Sequence, residues 1–316
     1  MQHSLEALEA AAEQVHAVIA PTLQYNWPLL AERCGCEVWV KHENHTPIGA
    51  FKVRGGVTFM NDFAKGGNAP GIITATRGNH GQSIGFAARS AGVAATIVVP
   101  EGNSAEKNAA MAALGVRLLV HGQDFDEARE EVERVGRSEG LRYVHSANEP
   151  LLIAGVGTMG LEIFDALPAV DAVIVPVGGG SGACGNALVA RHINPDVQII
   201  GVQTVGAPAC YRAWRERRVG LDAHMETRHE GLATRVAFEL TTRMMWDLVD
   251  RFELVSDEEI DAALGLLARE AKLVAEGAGA AALAAVLKIK DELEGKKVVG
   301  ILSGGNVPAE RLAALL

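Results

Sequence analysis

The sequence predicts an α/β protein with two open, mostly parallel, twisted sheets flanked by helices. Short apolar runs alternate with segments of helical periodicity along almost the whole chain. Such alternation is typical of strand–helix–strand units with parallel strands. The 316 residues include 35 glycines and are 48% apolar, which suits sheets whose buried strands are apolar on both faces.

The alternation also gives the order of the elements. The predicted strands cover 37–41, 71–75, 95–100, 117–121, 172–177, 198–203 and 298–303. The predicted helices cover 4–19, 53–65, 79–91, 104–114, 124–138, 151–166, 182–192, 208–217, 257–274 and 278–292. Ser104 and Asp124 are typical helix starts, and Ser256 with Glu259 has the pattern of a capping box. The elements fall into two blocks, which meet near Pro150.

Charge and cysteine content exclude several classes of protein. The net charge of −10 and the scattered basic residues do not fit a nucleic-acid-binding protein. Residues 4–19 form an acidic helical pattern without the features of a signal peptide, and no apolar run is long enough to span a membrane. The 4 cysteines lack metal-ligand spacing. They indicate a reducing compartment, so we expect a cytoplasmic protein.

A lysine motif lies at 49–56, with the sequence GAFKVRGG. Lys52 stands between a turn that begins with glycine and a helical segment. A lysine that attacks a carbonyl group needs a partly desolvated pocket, which lowers its pKa and leaves the amine neutral. Phe51 would supply an apolar wall. A lysine near a helix start is also common on protein surfaces, so this motif alone does not distinguish a reactive lysine from a surface lysine.

A glycine-rich loop at 175–185, VPVGGGSGACG, follows one predicted strand and opens a helix. Backbone N–H groups in such a loop converge on an anion, most simply a phosphate. Gly180, Gly182 and Gly185 also match the dinucleotide pattern G-x-G-x-x-G, which requires an acidic residue after the next strand. Gln203 and Thr204 stand there instead. We therefore favour a cradle for one phosphate over NAD, with a purely structural turn as the third alternative.

Two further segments follow predicted strands. Residues 74–82, TATRGNHGQ, end a strand with polar groups and open a helix. The carboxyl ends of strands bind ligands in open α/β sheets, and these groups suit a substrate carboxylate, although a merely capped helix is the alternative. Ser303 ends the last strand, where it could face a ligand.

Together, these four segments resemble the fold type II pyridoxal-phosphate enzymes, especially the serine/threonine dehydratase and serine racemase branch. The resemblance covers residues 15–306, and segments 41–44 (KHEN) and 273–280 (LVAEGAGA) also fit. It implies a fold like that of the tryptophan synthase β-subunit. Residues 1–45 and 151–316 would form a large cofactor-binding domain, and residues 46–150 a small substrate-side domain.

The resemblance also implies roles for individual residues. Lys52 would hold pyridoxal phosphate covalently and act as the general base, with Ser303 as the second catalytic residue, facing the pyridine nitrogen. Phe51 would pack against the cofactor ring, and Asn79 would bind its 3′-oxygen. The phosphate would be bound by the backbone of Gly178, Gly179, Gly180, Ser181 and Gly182. The substrate carboxylate would lie beside Thr76, Gly78, Asn79 and His80.

The implied activity is that of an ammonia-lyase that converts threonine or serine into a 2-oxo acid and ammonia. Because the Ser303 hydroxyl carries no charge, it would favour loss of the β-hydroxyl over reprotonation. Other β-substituted amino acids, racemisation or β-replacement are alternatives on this fold. A NAD-linked dehydrogenase and a non-enzymatic binding protein are alternatives from other classes. The family is often dimeric, and residues 23–30, including Trp27, are the expected contact in a homodimer.

The chain departs from the family pattern at three sites, of which Ala50, in place of a serine common before Phe51, is given no consequence. Racemases of this branch have a serine at the position of Arg77, which acts as a second acid and base. An arginine stays protonated and cannot do so. We hypothesise that Arg77 recognises a second anionic or polar group of the substrate, as in 3-hydroxyaspartate. The alternative is that it points to solvent or pairs with an acid. Gln203 and Ala209 replace carboxylates that bind a divalent cation in several members, so we predict no metal site.

Overall fold

The computed structural model describes residues 4–66, 68–123 and 125–315. Its strands are β1 (Gln24–Asn26), β2 (Glu37–His42), β3 (Ile72–Ala75), β4 (Ala95–Val99), β5 (Arg117–Val120), β6 (Arg142–Tyr143), β7 (Ala172–Pro176), β8 (Gln198–Thr204), β9 (Arg251–Val255) and β10 (Lys297–Leu302). Its helices are α1 (Leu5–His16), α2 (Pro28–Cys34), α3 (Val53–Gly66), α4 (Asn79–Ala91), α5 (Ala105–Ala113), α6 (Phe125–Glu139), α7 (Pro150–Ala166), α8 (Ser181–Ile193), α9 (Ala209–Glu216), α10 (Glu239–Leu248), α11 (Asp257–Glu270), α12 (Gly277–Lys288) and α13 (Ala309–Ala313).

The strands form two sheets. The 6-stranded sheet has the order β1-β2-β10-β7-β8-β9, and the 4-stranded sheet has the order β5-β4-β3-β6. Only β1 pairs antiparallel among these strands. The predicted fold class of two mostly parallel sheets flanked by helices is confirmed, and every predicted strand is present within one residue of its predicted ends.

Several predicted boundaries are wrong. The helix predicted to reach residue 274 ends at Glu270, because Lys272 has a positive φ of 58° that no α-helix continues through. The helix predicted over 278–292 ends at Lys288, and the first helix ends at His16 instead of residue 19. The capping box at Ser256 is confirmed. The predicted helix start Asp124 lies outside the described residues.

The large sheet is buried on both faces because its strands carry apolar side chains in both directions. In β7, Ala172 and Ile174 pack into one core cluster with α11 and α12. Val173 and Val175 point the other way and pack with α7 and α8. Successive side chains of a strand point to opposite faces of the sheet. Apolar residues in both directions therefore allow helices to pack on both faces of this parallel sheet.

The sheets take their strands from different parts of the chain. The large sheet uses strands between residues 24 and 42 and between 172 and 302, and the small sheet uses strands between 72 and 143. The domain boundaries at 45/46 and 150/151 stay a prediction.

A buried cluster of charges lies where β2, α3 and α7 meet. The Arg54 guanidinium donates to both carboxylate oxygens of Glu43, each at 2.8 Å, and to Glu162 Oε1 at 2.6 Å. Lys41 Nζ donates to Glu162 Oε2 at 2.6 Å. Burial raises the pKa of Glu162, but hydrogen bonds and charge from Arg54 outweigh it and lower this pKa to about 2. The cluster is therefore ionised and balanced, with two cations and two carboxylates.

We expect Arg54→Met to lower the free energy of unfolding by about 3–5 kcal/mol, because it leaves two buried carboxylates with Lys41 as their remaining buried cation. Urea unfolding measures the loss. The matched control is Arg117→Met, which breaks the exposed pair between Arg117 and Glu139 and should cost much less. Equal losses in the two variants would contradict the stabilising role of the buried cluster.

Candidate active site

The carboxyl ends of β3, β7 and β10 open onto one cavity with a volume of about 240 Å³. Helix α4 follows β3 after three residues, and α8 follows β7 after four. Ser303 comes directly after β10. Parallel strands place their carboxyl ends at the same edge of a sheet, which is where open α/β sheets bind ligands. The cavity is therefore the candidate active site.

Nearly all of the residues predicted for the site line this cavity. They are Phe51, Lys52, Thr76, Arg77, Gly78, Asn79, His80, Gly178, Gly179, Ser181, Gly182 and Ser303. Gly180 is the exception; it caps the start of α8 with a positive φ of 91°. A Cβ atom at Gly180 would lie 2.9 Å from Thr241 Cβ. The structure thus brings the four segments together, and leaves their individual roles as predictions.

Lys52 enters the cavity just before the first turn of α3. The backbone N–H of Phe51 donates to the Ser303 carbonyl oxygen at 3.0 Å, which ties the lysine segment to the end of β10. Lys52 Nζ lies 3.5 Å from Ser181 Oγ. Burial lowers the pKa of Lys52 to about 8, although the charge of Glu276 opposes this shift. A substantial fraction of the amine is therefore neutral and nucleophilic at neutral to mildly alkaline pH.

The glycine loop is held from behind by neighbouring segments. Thr241 Oγ1 donates to the Gly179 carbonyl oxygen at 2.7 Å, and Cys210 Sγ donates to the Gly178 carbonyl oxygen at 3.1 Å. A Cβ atom at Gly178 would lie 2.3 Å from the Gly231 carbonyl oxygen, so this position requires glycine. The first turn of α8 leaves N–H groups without intrahelical partners. This arrangement suits a phosphate group.

The turn before α4 is ordered by its own hydroxyl groups. Thr76 Oγ1 accepts hydrogen bonds from the backbone N–H groups of Gly78 at 2.9 Å and Gly81 at 3.2 Å. His80 Nε2 lies 2.9 Å from Thr74 Oγ1. Burial and the nearby charge of Lys52 lower the pKa of His80 to about 3, so its ring is neutral at pH 7. Because Thr76 occupies the N–H groups of Gly78 and Gly81, the backbone N–H groups of Asn79 and His80 are the ones at this helix start, within the described residues, that can bind an anion.

Asn79 is oriented by two partners. Its Nδ2 donates to Glu276 Oε1 at 2.6 Å, and its Oδ1 accepts from Asn306 Nδ2 at 2.8 Å. Burial raises the pKa of Glu276 to about 7, although Lys107, Asn79 and Lys52 act in the opposite direction. Sequence reasoning gave Glu276 no role in the site. Its signal was the segment 273–280, which fitted the family pattern.

A second part of the wall comes mainly from the loop 226–240. The sequence predicts that this loop and the loop 204–212 contact the far end of the substrate, without singling out any residue in them. Lys107 from α5 donates to Glu230 Oε2 at 2.6 Å across the cavity. The segment 230–236, together with Phe238 and Met225, lines the same side. Because this segment has no helical or strand periodicity in the sequence, its individual residues could not be assigned before the fold placed them.

The structure argues against the dinucleotide interpretation of the glycines. Gly185 lies inside α8, and a Cβ atom there would be 2.7 Å from the Gly157 backbone nitrogen of α7. Its role is close packing of two helices. At the end of β8, the residue is Gln203, whose Oε1 accepts from the Tyr211 backbone N–H at 3.0 Å. This position therefore offers no carboxylate that could bind a ribose hydroxyl. Among the described residues, no cluster of His, Cys, Asp and Glu side chains could hold a metal ion.

A buried lysine of lowered pKa shares a strand-end cavity with a glycine-rich helix start. This arrangement is typical of enzymes that hold a phosphorylated carbonyl cofactor on a lysine. The family model described as pyridoxal-phosphate dependent enzyme matches residues 15–304. The chain belongs to this family, and its cofactor is pyridoxal phosphate.

Individual relatives agree with this assignment. The chain is 36% identical to an L-threonine ammonia-lyase from Thermotoga maritima, over 99% of this chain and 78% of that protein. Its fold is similar to that of threonine deaminase isoform 2 from Solanum lycopersicum, with a TM-score of 0.91, 28% identity and coverage of 99% and 93% of the two chains. Maize serine racemase is also similar, with a TM-score of 0.93, 27% identity and coverage of 98% and 96%.

The residues present fit the cofactor. Lys52 offers an amine for the aldehyde, and the loop from Gly178 to Gly182 offers backbone donors for the phosphate in the same cavity. Phe51 provides an apolar ring in the wall between these two ends. No other lysine except Lys107 lines the cavity among the described residues, and Lys107 is engaged by Glu230.

We expect the rate at which the cofactor-free protein binds pyridoxal phosphate covalently to rise with pH and to level off above about pH 8. Only the neutral amine attacks a carbonyl, and the pKa of Lys52 is about 8, whereas an ordinary lysine has a pKa of about 10.4. Stopped-flow absorbance measures this rate, with Lys52→Ala as the control for surface lysines. A rate that keeps rising to pH 10 would show that another amine reacts.

Proposed function

We propose that this protein is an ammonia-lyase that converts threonine or serine into a 2-oxo acid and ammonia. The observation that carries the proposal is Lys52, whose lowered pKa and position between the phosphate loop and the start of α4 suit proton transfer at an amino-acid α-carbon. The similarity to an L-threonine ammonia-lyase over nearly the full length supports the same reaction.

The residues of the cavity have different roles in the proposed reaction. When bound, pyridoxal phosphate supplies the conjugated ring that accepts the electron pair left behind at the α-carbon. Lys52 takes the α-proton as general base. Backbone N–H groups at the start of α4, beside Thr76 and His80, bind the α-carboxylate. Asn79 and Ser303 would hold the cofactor at its 3′-oxygen and its ring nitrogen.

Racemisation is disfavoured for this chain. A racemase needs a second proton donor on the opposite face of the substrate, and the family position for this group is Arg77. A guanidinium remains protonated and cannot exchange a proton there. The uncharged Ser303 acts in the same direction, because weaker stabilisation of the carbanion favours loss of the β-hydroxyl.

We expect the purified protein to show a cofactor absorbance band that shifts when L-threonine is added, with release of 2-oxobutyrate. Lys52→Ala should lower kcat by at least about a hundredfold, because it removes the general base. Absorbance spectroscopy in one cuvette measures both the shift of the cofactor band and the release of the 2-oxo acid, the latter through its coupled reduction. A shift without product from threonine, serine or other β-hydroxy amino acids would contradict the elimination.

We also propose that the protein is a homodimer in the cytoplasm. Leu23, Tyr25 and Leu29 are exposed to 48%, 47% and 54% beside the edge strand β1. An apolar patch at a sheet edge supports contact with a second copy of the chain. All 4 cysteines are free and buried, which supports a reducing compartment. No helix of the described residues is long and apolar enough to cross a membrane.

We expect Leu29→Glu to convert a dimer into a monomer, because it places a charge in the apolar contact. Light scattering measures the mass. The matched control is Val120→Glu, at a residue that is 59% exposed on the edge strand β5 of the other sheet. A monomeric wild-type protein, or a dimer that survives Leu29→Glu, would contradict this interface.

A further inference from the structure

One cation in the cavity wall has no acidic partner among the described residues. Arg77 lies between Thr76 and Gly78 at the turn before α4, lines the cavity and is partly exposed. No acidic side chain of the described residues forms an ion pair with it, and its side chain makes no hydrogen bond within that part of the chain. Within the described residues, Arg77 therefore does not form the ion pair with a nearby acid that was one alternative to substrate recognition.

The other charged groups of the cavity are bound by the cofactor, compensated or close to neutral. Lys52 is the amine that the cofactor takes. Lys107 is paired with Glu230 at 2.6 Å. Glu276 accepts a hydrogen bond from Asn79, and its pKa is raised by burial to about 7. Apart from the exposed Arg235, Arg77 is the permanently charged group of the described cavity that lacks a counterion. A cationic cavity in a chain of net charge −10 suits an anionic ligand.

The position of Arg77 limits which anion it can meet. The α-carboxylate of an amino acid is proposed to bind at the first turn of α4, which begins at Asn79. Arg77 precedes Asn79 by two residues, and neighbouring Cα atoms are about 3.8 Å apart. Arg77 and this turn line the same cavity, so one small substrate with two anionic groups can contact both. A four-carbon dicarboxylate is such a substrate, because only two carbons join its carboxylates.

We propose that the preferred substrate is a β-hydroxy amino acid with a second carboxylate, of the 3-hydroxyaspartate class, and that Arg77 binds this second carboxylate. The inference rests on the proposed ammonia-lyase function, since the same α-proton and β-hydroxyl are eliminated. A guanidinium is permanently charged, and its planar fork matches a carboxylate with two parallel hydrogen bonds. Threonine and serine offer no partner for this group.

The reaction balances without an oxidant or reductant. The Cα–H and Cβ–O bonds break, a carbon–carbon double bond forms, and one water leaves. The released enamine tautomerises to an imine, takes up one water and loses ammonia. From 3-hydroxyaspartate the product is oxaloacetate, so the net change is loss of ammonia alone.

The test compares kcat/KM for threo-3-hydroxyaspartate and for L-threonine in wild type, Arg77→Ala and Arg77→Lys. We expect wild type to prefer hydroxyaspartate. The ratio of the two kcat/KM values should fall at least about tenfold in Arg77→Ala, because hydrogen bonds to charged groups are the strong ones. Arg77→Lys should retain part of the preference, since it keeps the charge without the fork. The cofactor band confirms that each variant is folded and loaded.

The matched control is Arg218→Ala. This variant removes an exposed arginine from the turn that follows α9, and it should leave the ratio unchanged. Equal losses for both substrates in Arg77→Ala would assign Arg77 to the shared α-carboxylate and overturn the inference. An unchanged ratio in Arg77→Ala would also overturn it while the ammonia-lyase function stands. No product from either substrate would overturn that function and this inference with it.

Discussion

The buried charge cluster around Arg54 is the constraint on which the site depends. Its cations and carboxylates lie out of water, so each is stabilised only while β2, α3 and α7 hold their relative positions. Arg54 follows Lys52 by two residues, at the beginning of α3. The electrostatic balance of the cluster therefore fixes the helix start that presents Lys52 to the cavity. Apolar packing alone would tolerate small shifts of α3, whereas unpaired buried charges would not.

The cavity separates proton transfer from charge recognition. Burial brings the pKa of Lys52 to about 8 and that of Glu276 to about 7. Both groups can thus exchange protons near neutral pH. His80, with a pKa lowered to about 3, contributes a neutral ring. Permanent charge in the cavity wall comes from Arg77, from Arg235 and from the Lys107–Glu230 pair. In the proposed reaction, fixed charges orient the substrate, whereas its α-carbon meets groups that can change their charge.

The sequence predicted the parts of the fold and site that carry a local signal. Apolar runs located the seven main strands, and glycine or polar residues directly after them located the loops at the cavity. It missed β1 and β6, which are too short for a periodic pattern, and β9, where Arg251 and Glu253 interrupt the apolar run at a sheet edge. It indicated the loop 226–240 but not its residues Glu230 and Phe238, and it gave Lys107 no role, because only the three-dimensional arrangement brings these side chains to the cavity.

The wall formed by residues 225–238 contains one short 3-10 helix, Glu230–Leu232, and otherwise lacks regular structure. It contacts the cavity without supplying a strand end or a helix start. Loops of this kind accept insertions and substitutions more readily than the elements that they connect. Lineages that share the lysine and the phosphate loop can therefore diversify their amino-acid preference through this segment, which makes it the natural target for redesign of substrate scope.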